Sequence, residues 1–224
     1  MKKRSLFPSQ DWQLSVLAST QIFAAFILLA LLAACSSQPS QPAETPRPEP
    51  KGPELLTGRS AFQKTYIAAR GWQRDGQPFR IESVVTTDGD GHDGKWAVWR
   101  VSFASPTQRA VKSFVWSGSA ASDAPSRGIN PSTEDSYNPS NSNTQVFDSQ
   151  FLRQDSDQAL EVSKKHGGDK VLEKNPDVKV SYVCDWNHNT NQLIWHVIYG
   201  GSRDSSKLTV SVDASTGEFI RVEK

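Results

Sequence analysis

The side chains of this 224-residue chain that could do chemistry are four histidines, two cysteines, many serines and one run of closely spaced aspartates. The run is "DGDGHDGK", in which Asp88, Asp90 and Asp93 invite a calcium reading. An EF-hand loop needs glycine at its sixth position and glutamate at its twelfth. Counted from Asp88 those positions are Asp93 and Trp99, so the pattern fails and a flexible hairpin loop is expected instead. His92, His166, His188 and His196 fall in loops, at a helix end and in a strand, and no pair has the spacing of a local metal site. No metal and no cofactor is therefore expected. Serine–histidine–aspartate sets can be assembled on paper, but no "GxSxG" supports one. The chain reads as non-catalytic, with a hydrolase as a remote alternative.

The cysteines say more. Cys35 closes "LAAC" at the end of a 13-residue apolar run, residues 22–34, which follows the basic "MKKR". That run is too short for an ordinary membrane span and suits the hydrophobic region of an export signal. Ala33 and Ala34 are small enough for a peptidase cleft, and the Cys35 thiol is the nucleophile that would accept a lipid. The box resembles the bacterial lipoprotein signal. The resemblance implies that residues 1–34 are a signal peptide and that Cys35 carries a palmitate-type anchor in the membrane. Ser36, rather than Asp, would favour the outer membrane facing the periplasm. The rival is a secretory peptide with a cysteine close by. Lipidation leaves Cys184 as the one free thiol, so no internal disulfide can form. In "VKVSYVCDW" it alternates with Val180, Tyr182 and Trp186, which reads as a buried, inert thiol.

These residues sit on a chain with 36% hydrophobic and 22% charged residues. Beyond residue 34 there are 22 basic and 23 acidic residues, which gives no electrostatic reason to expect nucleic acid. Residues 35–56 form a tether: 36–53 hold six prolines and no apolar periodicity. In a polyproline conformation, at about 3.1 Å per residue, it would reach roughly 55 Å. Residues 57–116 then read as a helix, "TGRSAFQKTYIAARG", with Thr57 as N-cap and Gly71 as stop, followed by strands at 79–85, 95–104 and 110–116. Residues 117–150 are a connector rich in serine, asparagine and proline, with a doubtful edge strand at Val146 and Phe147. Residues 151–224 repeat the order: a helix at 156–168, with Asp155 and Gln158 spaced as a capping box and Gly167 to end it, then strands at 178–186, 192–199, 207–213 and 218–223.

Ser60 and Ser156, Gly71 and Gly167, and Trp99 and Trp195 all lie 96 residues apart. "AVWRVSFAS" and "LIWHVIYGG" place Trp, Val and an aromatic in the same alternation. The expected fold is α+β: two repeats, each one helix packed on a three- to four-stranded antiparallel sheet. A single continuous sheet with one core would sink the duplication.

The ending "LTVSVDASTGEFIRVEK" resembles the closing hairpin of PepSY domains, with Val212, Asp213, Ala214, Thr216, Gly217 and Glu218 at the "DA-x-TG" turn. Helix "SDQALEVSKKHG" and strand "QLIWHVIY" are similar to that family's as well. The resemblance covers residues 156–224, with 57–116 as a diverged copy whose last strand is not evident. It implies an extracytoplasmic, non-catalytic module that binds a protein or peptide, with control of an envelope peptidase as its suggested role. A passive structural lipoprotein is the alternative.

On the central strands, Trp99, Val101, Phe103 and Trp195, Val197, Tyr199 should face the helices. The opposite phase holds Trp96, Arg100, Ile194 and His196, too apolar for a wet face. These four mark the contact between two packed sheets, a face covered by the connector, or a partner-binding face.

Overall fold

A computed structural model describes residues 52–223. The signal peptide, Cys35 and most of the tether lie outside the described residues. Leu56–Thr57 form a short strand, β1, and helix α1 spans Gly58–Trp72. Ala61, Phe62, Thr65 and Ala69 are its buried stripe, at helical spacing. Gly71 does not stop the helix, which runs one residue further. Trp72 then donates to Glu134 at 2.9 Å and packs on Phe114.

Strands β2 (Gln77–Ser83), β4 (Val98–Ser105) and β5 (Ala110–Ser117) follow α1, with a two-residue strand, β3 (Lys95–Trp96), before β4. β3 leaves the main sheet to pair with β1. The connector, read as loop, supplies β6 (Gly128–Pro131) and β7 (Asp135–Ser136), both paired to β5. β6 is the fourth strand that the sequence did not announce in the first half. Val146 and Phe147 form no strand; Phe147 is buried and its N–H donates to the Pro78 carbonyl at 2.9 Å.

In the second half α2 spans Ser156–Ser163, and Asp155 and Gln158 form the expected capping box. A five-residue turn, Lys164–Gly168, breaks the helix at His166 and Gly167, after which α3 runs over Asp169–Lys174. Strands β8 (Val180–Asn187), β9 (Gln192–Tyr199), β10 (Leu208–Asp213) and β11 (Phe219–Glu223) complete the chain. The "DA-x-TG" turn joins the last two. Asp213 accepts from the N–H groups of Ser215 (2.7 Å) and Thr216 (2.9 Å), and Gly217 takes φ +81°, which a side chain would resist.

All these main strands are antiparallel and belong to one sheet, ordered β11-β10-β9-β8-β2-β4-β5-β6. The join is β2 with β8, through Arg80↔Asp185, Ile81↔Cys184 and Glu82↔Val183. The halves thus meet edge to edge, not face to face, and share one continuous sheet. Outward from the join, each side runs through its strands in chain order. One core lies between the sheet and the helices and includes Trp99, Phe103, Tyr182, Trp195 and the buried thiol of Cys184. Burial drives that thiol's pKa well above its ordinary value, which keeps it protonated and inert.

Trp99 and Trp195 meet edge-on in this core, 6.4 Å between ring centroids. Each indole N–H donates to a carbonyl just ahead of its own half's helix: Trp99 to Leu56 at 2.8 Å, Trp195 to Gln154 at 3.0 Å. The helix starts also meet. Asp155 accepts from the N–H of Ser156 (2.7 Å) and of Arg59 (2.8 Å), while the Ser156 hydroxyl accepts from the Gly58 N–H (2.9 Å). One carboxylate therefore serves the positive ends of both helix dipoles.

The aspartate-rich loop is no free hairpin. The Gly91 carbonyl accepts from the Tyr182 hydroxyl at 2.5 Å, and Asp90's carbonyl takes the Val180 N–H at 2.7 Å. A Cβ on Gly91 would lie 1.9 Å from the Val180 carbonyl oxygen. The loop is wedged against β8, so Gly91, and Gly94 against Asp157, serve close packing between the halves.

Candidate functional site

Alternation in the strands sends every second side chain to the face away from the helices. The join between β2 and β8 lines up charged members of that phase across both halves. Arg100 on β4 pairs with Glu82 on β2 (2.9 Å), and Glu82 pairs with Arg80 on the same strand (2.8 Å). Arg80 reaches Asp185 on β8 (3.3 Å), and Asp185 holds Nε2 of His196 on β9 (3.1 Å). Nδ1 of His196 bonds the carboxylate of Glu223 on β11, which also accepts from the Ser211 hydroxyl of β10 at 2.7 Å. Six strands thus contribute to one row of alternating charge.

His196 is buried, at 5% exposure, between two carboxylates. Both ring nitrogens face acceptors, so both must donate, and the ring is an imidazolium. Burial works against its charge, but the hydrogen bonds to Asp185 and Glu223 outweigh that cost and raise its pKa. Burial likewise opposes the charge on Glu223. His196 and the Ser211 hydroxyl prevail and hold it down to about 2. Burial opposes the charge on Asp185 too, but its bond to His196 and the charges of His196, Arg203 and Arg80 lower its pKa. The arrangement is unlike a nucleophile relay: Ser211 donates to the carboxylate rather than to the imidazole, and the imidazole keeps no free lone pair to act as base.

This cluster forms one side of a polar cavity of about 490 Å³, whose rim includes Asn143 from the connector and Asn187 and Asn189 from the β8–β9 hairpin. Arg203 and Arg221 point cationic heads at it. Arg203 lies 4.0 Å from Asp185, and Arg221 has no ion-pair partner among the described residues.

The four residues singled out from sequence are dispersed by the structure. Trp96 is fully buried, with its indole N–H donating to the Val180 carbonyl at 2.8 Å, and Ile194 is 1% exposed. Neither presents surface to a partner. Arg100 is exposed at the far end of the charged row, and His196 lies at its centre. Of the other histidines, His92 bonds the Val178 carbonyl at 2.6 Å, His166 stacks on Phe219 at 3.7 Å, and His188 lines the cavity. Among the described residues no group of three or more His, Cys, Asp or Glu is placed to hold a metal ion.

Asp185, Glu223, Arg80, Arg203 and Arg221 went unnoticed in the sequence. Their one signal was shared phase: Arg80, Asp185, His196, Ser211 and Glu223 all fall on the helix-free side of their strands. Only the strand register turns that phase into a cluster.

Fold and site together define a helix-backed antiparallel sheet whose second face carries a charged row and a polar cavity. No family model matches the chain, and no curated protein is similar to it. Among solved structures it is similar to the crystal structure of a "putative lipoprotein" from Clostridium difficile 630, at 12% identity and a TM-score of 0.49. The likeness covers 73% of this chain and 91% of that one, and at this level it carries no function across. Among the described residues no helix is long and apolar enough to cross a membrane.

Proposed function

We propose that the chain is a lipid-anchored envelope lipoprotein that works as a binding module rather than by catalysis, held at the membrane by Cys35 and facing the periplasm from the outer membrane. The observation that carries the binding reading is the cavity beside His196. Its polar groups converge from four strands and three loops, and of its two imidazoles the buried one, His196, is fully engaged by Asp185 and Glu223. Such a site is built to hold something in place. The anchor rests on the "LAAC" box and the apolar run before it.

The continuous sheet and single core sink a duplication into two separate units. The second half is PepSY-like, which the Asp213–Gly217 turn supports, and the first half mirrors its strand order and its tryptophan bond within the same sheet. The partner is an envelope protein or peptide, with a peptidase the kind that the resemblance implies.

Two measurements test this. Expression of the full chain with an alkyne-labelled fatty acid should label the protein and place it in the membrane fraction, and Cys35→Ala should abolish both. A photo-crosslinking residue at Asn189, beside the cavity, should give a discrete adduct in envelope preparations that one at Arg70 does not. Identical adduct patterns from both positions would overturn the binding reading. Peptide or ester hydrolysis lost on His196→Gln would favour the enzyme.

A further inference from the structure

We infer that the cavity beside His196 binds an oxyanion, a carboxylate or a phosphate group, through Arg203 and Arg221. This rests on the binding-module reading and names the chemistry the site would select. Four cations line the cavity (Arg80, His196, Arg203 and Arg221) against two carboxylates, Asp185 and Glu223. Those two carboxylates are already spoken for. Glu223 accepts from His196 and Ser211, and Asp185 from His196 and Arg80. Arg80 is neutralised on its other side by Glu82.

The positive charge left uncompensated is that of Arg203 and Arg221. Arg203 has only a 4.0 Å contact with Asp185, and Arg221 has no ion pair among the described residues. Guanidinium groups present planar pairs of N–H donors that match the oxygens of a carboxylate or phosphate. The side-chain amides of Asn143, Asn187 and Asn189 add neutral donors and acceptors at the rim, suited to a hydrophilic ligand body. A volume of about 490 Å³ admits a small anionic molecule or the anionic end of a peptide. His196 does not contact the anion in this scheme. Its role is to consume the two carboxylates that would otherwise neutralise the arginines.

The test is a titration of the full-length protein in a non-ionic detergent at pH 6 and constant ionic strength, followed by side-chain NMR of the arginine guanidinium signals. Three probes are used: inorganic phosphate, an acetylated tripeptide with a free C-terminus, and the same tripeptide amidated. Saturable shifts of Arg203 and Arg221 with phosphate, with the free tripeptide or with both support the site and identify the oxyanion. The double variant Arg203→Gln/Arg221→Gln should weaken that binding at least tenfold, while Arg70→Gln leaves it unchanged. Both arginines are exposed, so the variants should fold, which the β-sheet amide spectrum checks. No saturable shift with any probe, equal response to the amidated tripeptide, or undiminished binding in the double variant would overturn the inference. A discrete crosslink at Asn189 with no anion binding would leave the partner reading standing and remove this one. Anion binding without the crosslink would do the reverse.

Discussion

The first and second halves of the sheet are built alike and equipped differently. In each, a helix lies over strands that run outward from the join in chain order, and a tryptophan on the second strand ties the sheet to the helix start. Arg100 on β4 and His196 on β9 stand 96 residues apart in the sequence, each beside its half's tryptophan. Yet Arg100 ends in solvent with one carboxylate partner, whereas His196 is buried between two. The capping differs too: Asp155 caps its own helix and the other half's, while Thr57 makes no side-chain cap and its hydroxyl bonds only the side chains of Asp155 and Ser60. A common scaffold fixes the core, and the unequal loading of the second face places the site in one half.

If the halves share the core equally, Trp99→Ala and Trp195→Ala should each cost about 4 kcal/mol of unfolding free energy, the range for a fully buried tryptophan. Chemical denaturation reads this. A difference of more than about 2 kcal/mol between them would mean that one half dominates the core.

Asp155→Ala should come next, at about 2 kcal/mol, because it uncaps two helices at roughly 1 kcal/mol each. Thr57→Ala should cost only about 1 kcal/mol, since its part-buried hydroxyl bonds Asp155 and Ser60 but caps no backbone N–H. Equal losses would show that the caps are not shared in this way.

The site should make stability depend on pH. His196 keeps its proton in the folded protein above its ordinary value of 6.5, so its contribution is complete below pH 6.5 and is lost as pH rises through the raised value. Glu223 and Asp185 are lowered, so theirs are complete above their ordinary values of 4.5 and 3.8 and are lost on acidification, for Glu223 towards about 2. Stability from this cluster should therefore be greatest between pH 4.5 and 6.5. His196→Gln should remove the decline just above pH 6.5, and a decline that persists unchanged in thermal melts would assign it elsewhere.

The smallest effect is expected at the matching position of the first half. Arg100→Gln should change stability by no more than about 0.5 kcal/mol, since its ion pair is solvent-exposed. A larger loss would show that the charged row acts as one network across the join.

Much of the frame was legible because local rules wrote it. The helix stripe Ala61, Phe62, Thr65 and Ala69, the Asp155–Gln158 box and the strand at 192–199 follow from periodicity and capping within a few residues. Strand β6 was missed because "GINP" has neither alternation nor β-branched density beyond Ile129; it is a strand only because β5 offers it an edge. Gly91 and its neighbours read as a loose loop because nothing local shows that Val180 and Tyr182 will close over them.

The sequence by itself determined the helix over Gly58–Trp72 to within a residue, the capped start of the second helix, the order and inward phase of the main strands, the buried thiol of Cys184 and the turn at Asp213–Gly217, because each depends on residues near one another in the chain. It did not show the break after Ser163 or the helix Asp169–Lys174 beyond it. Tertiary structure alone decided that the halves join edge to edge and that Arg80, Asp185, His196 and Glu223 form a row. That outcome depends on the register of β2 against β8, set by packing between segments about a hundred residues apart. A shift of one residue in that pairing would turn those side chains to the opposite face.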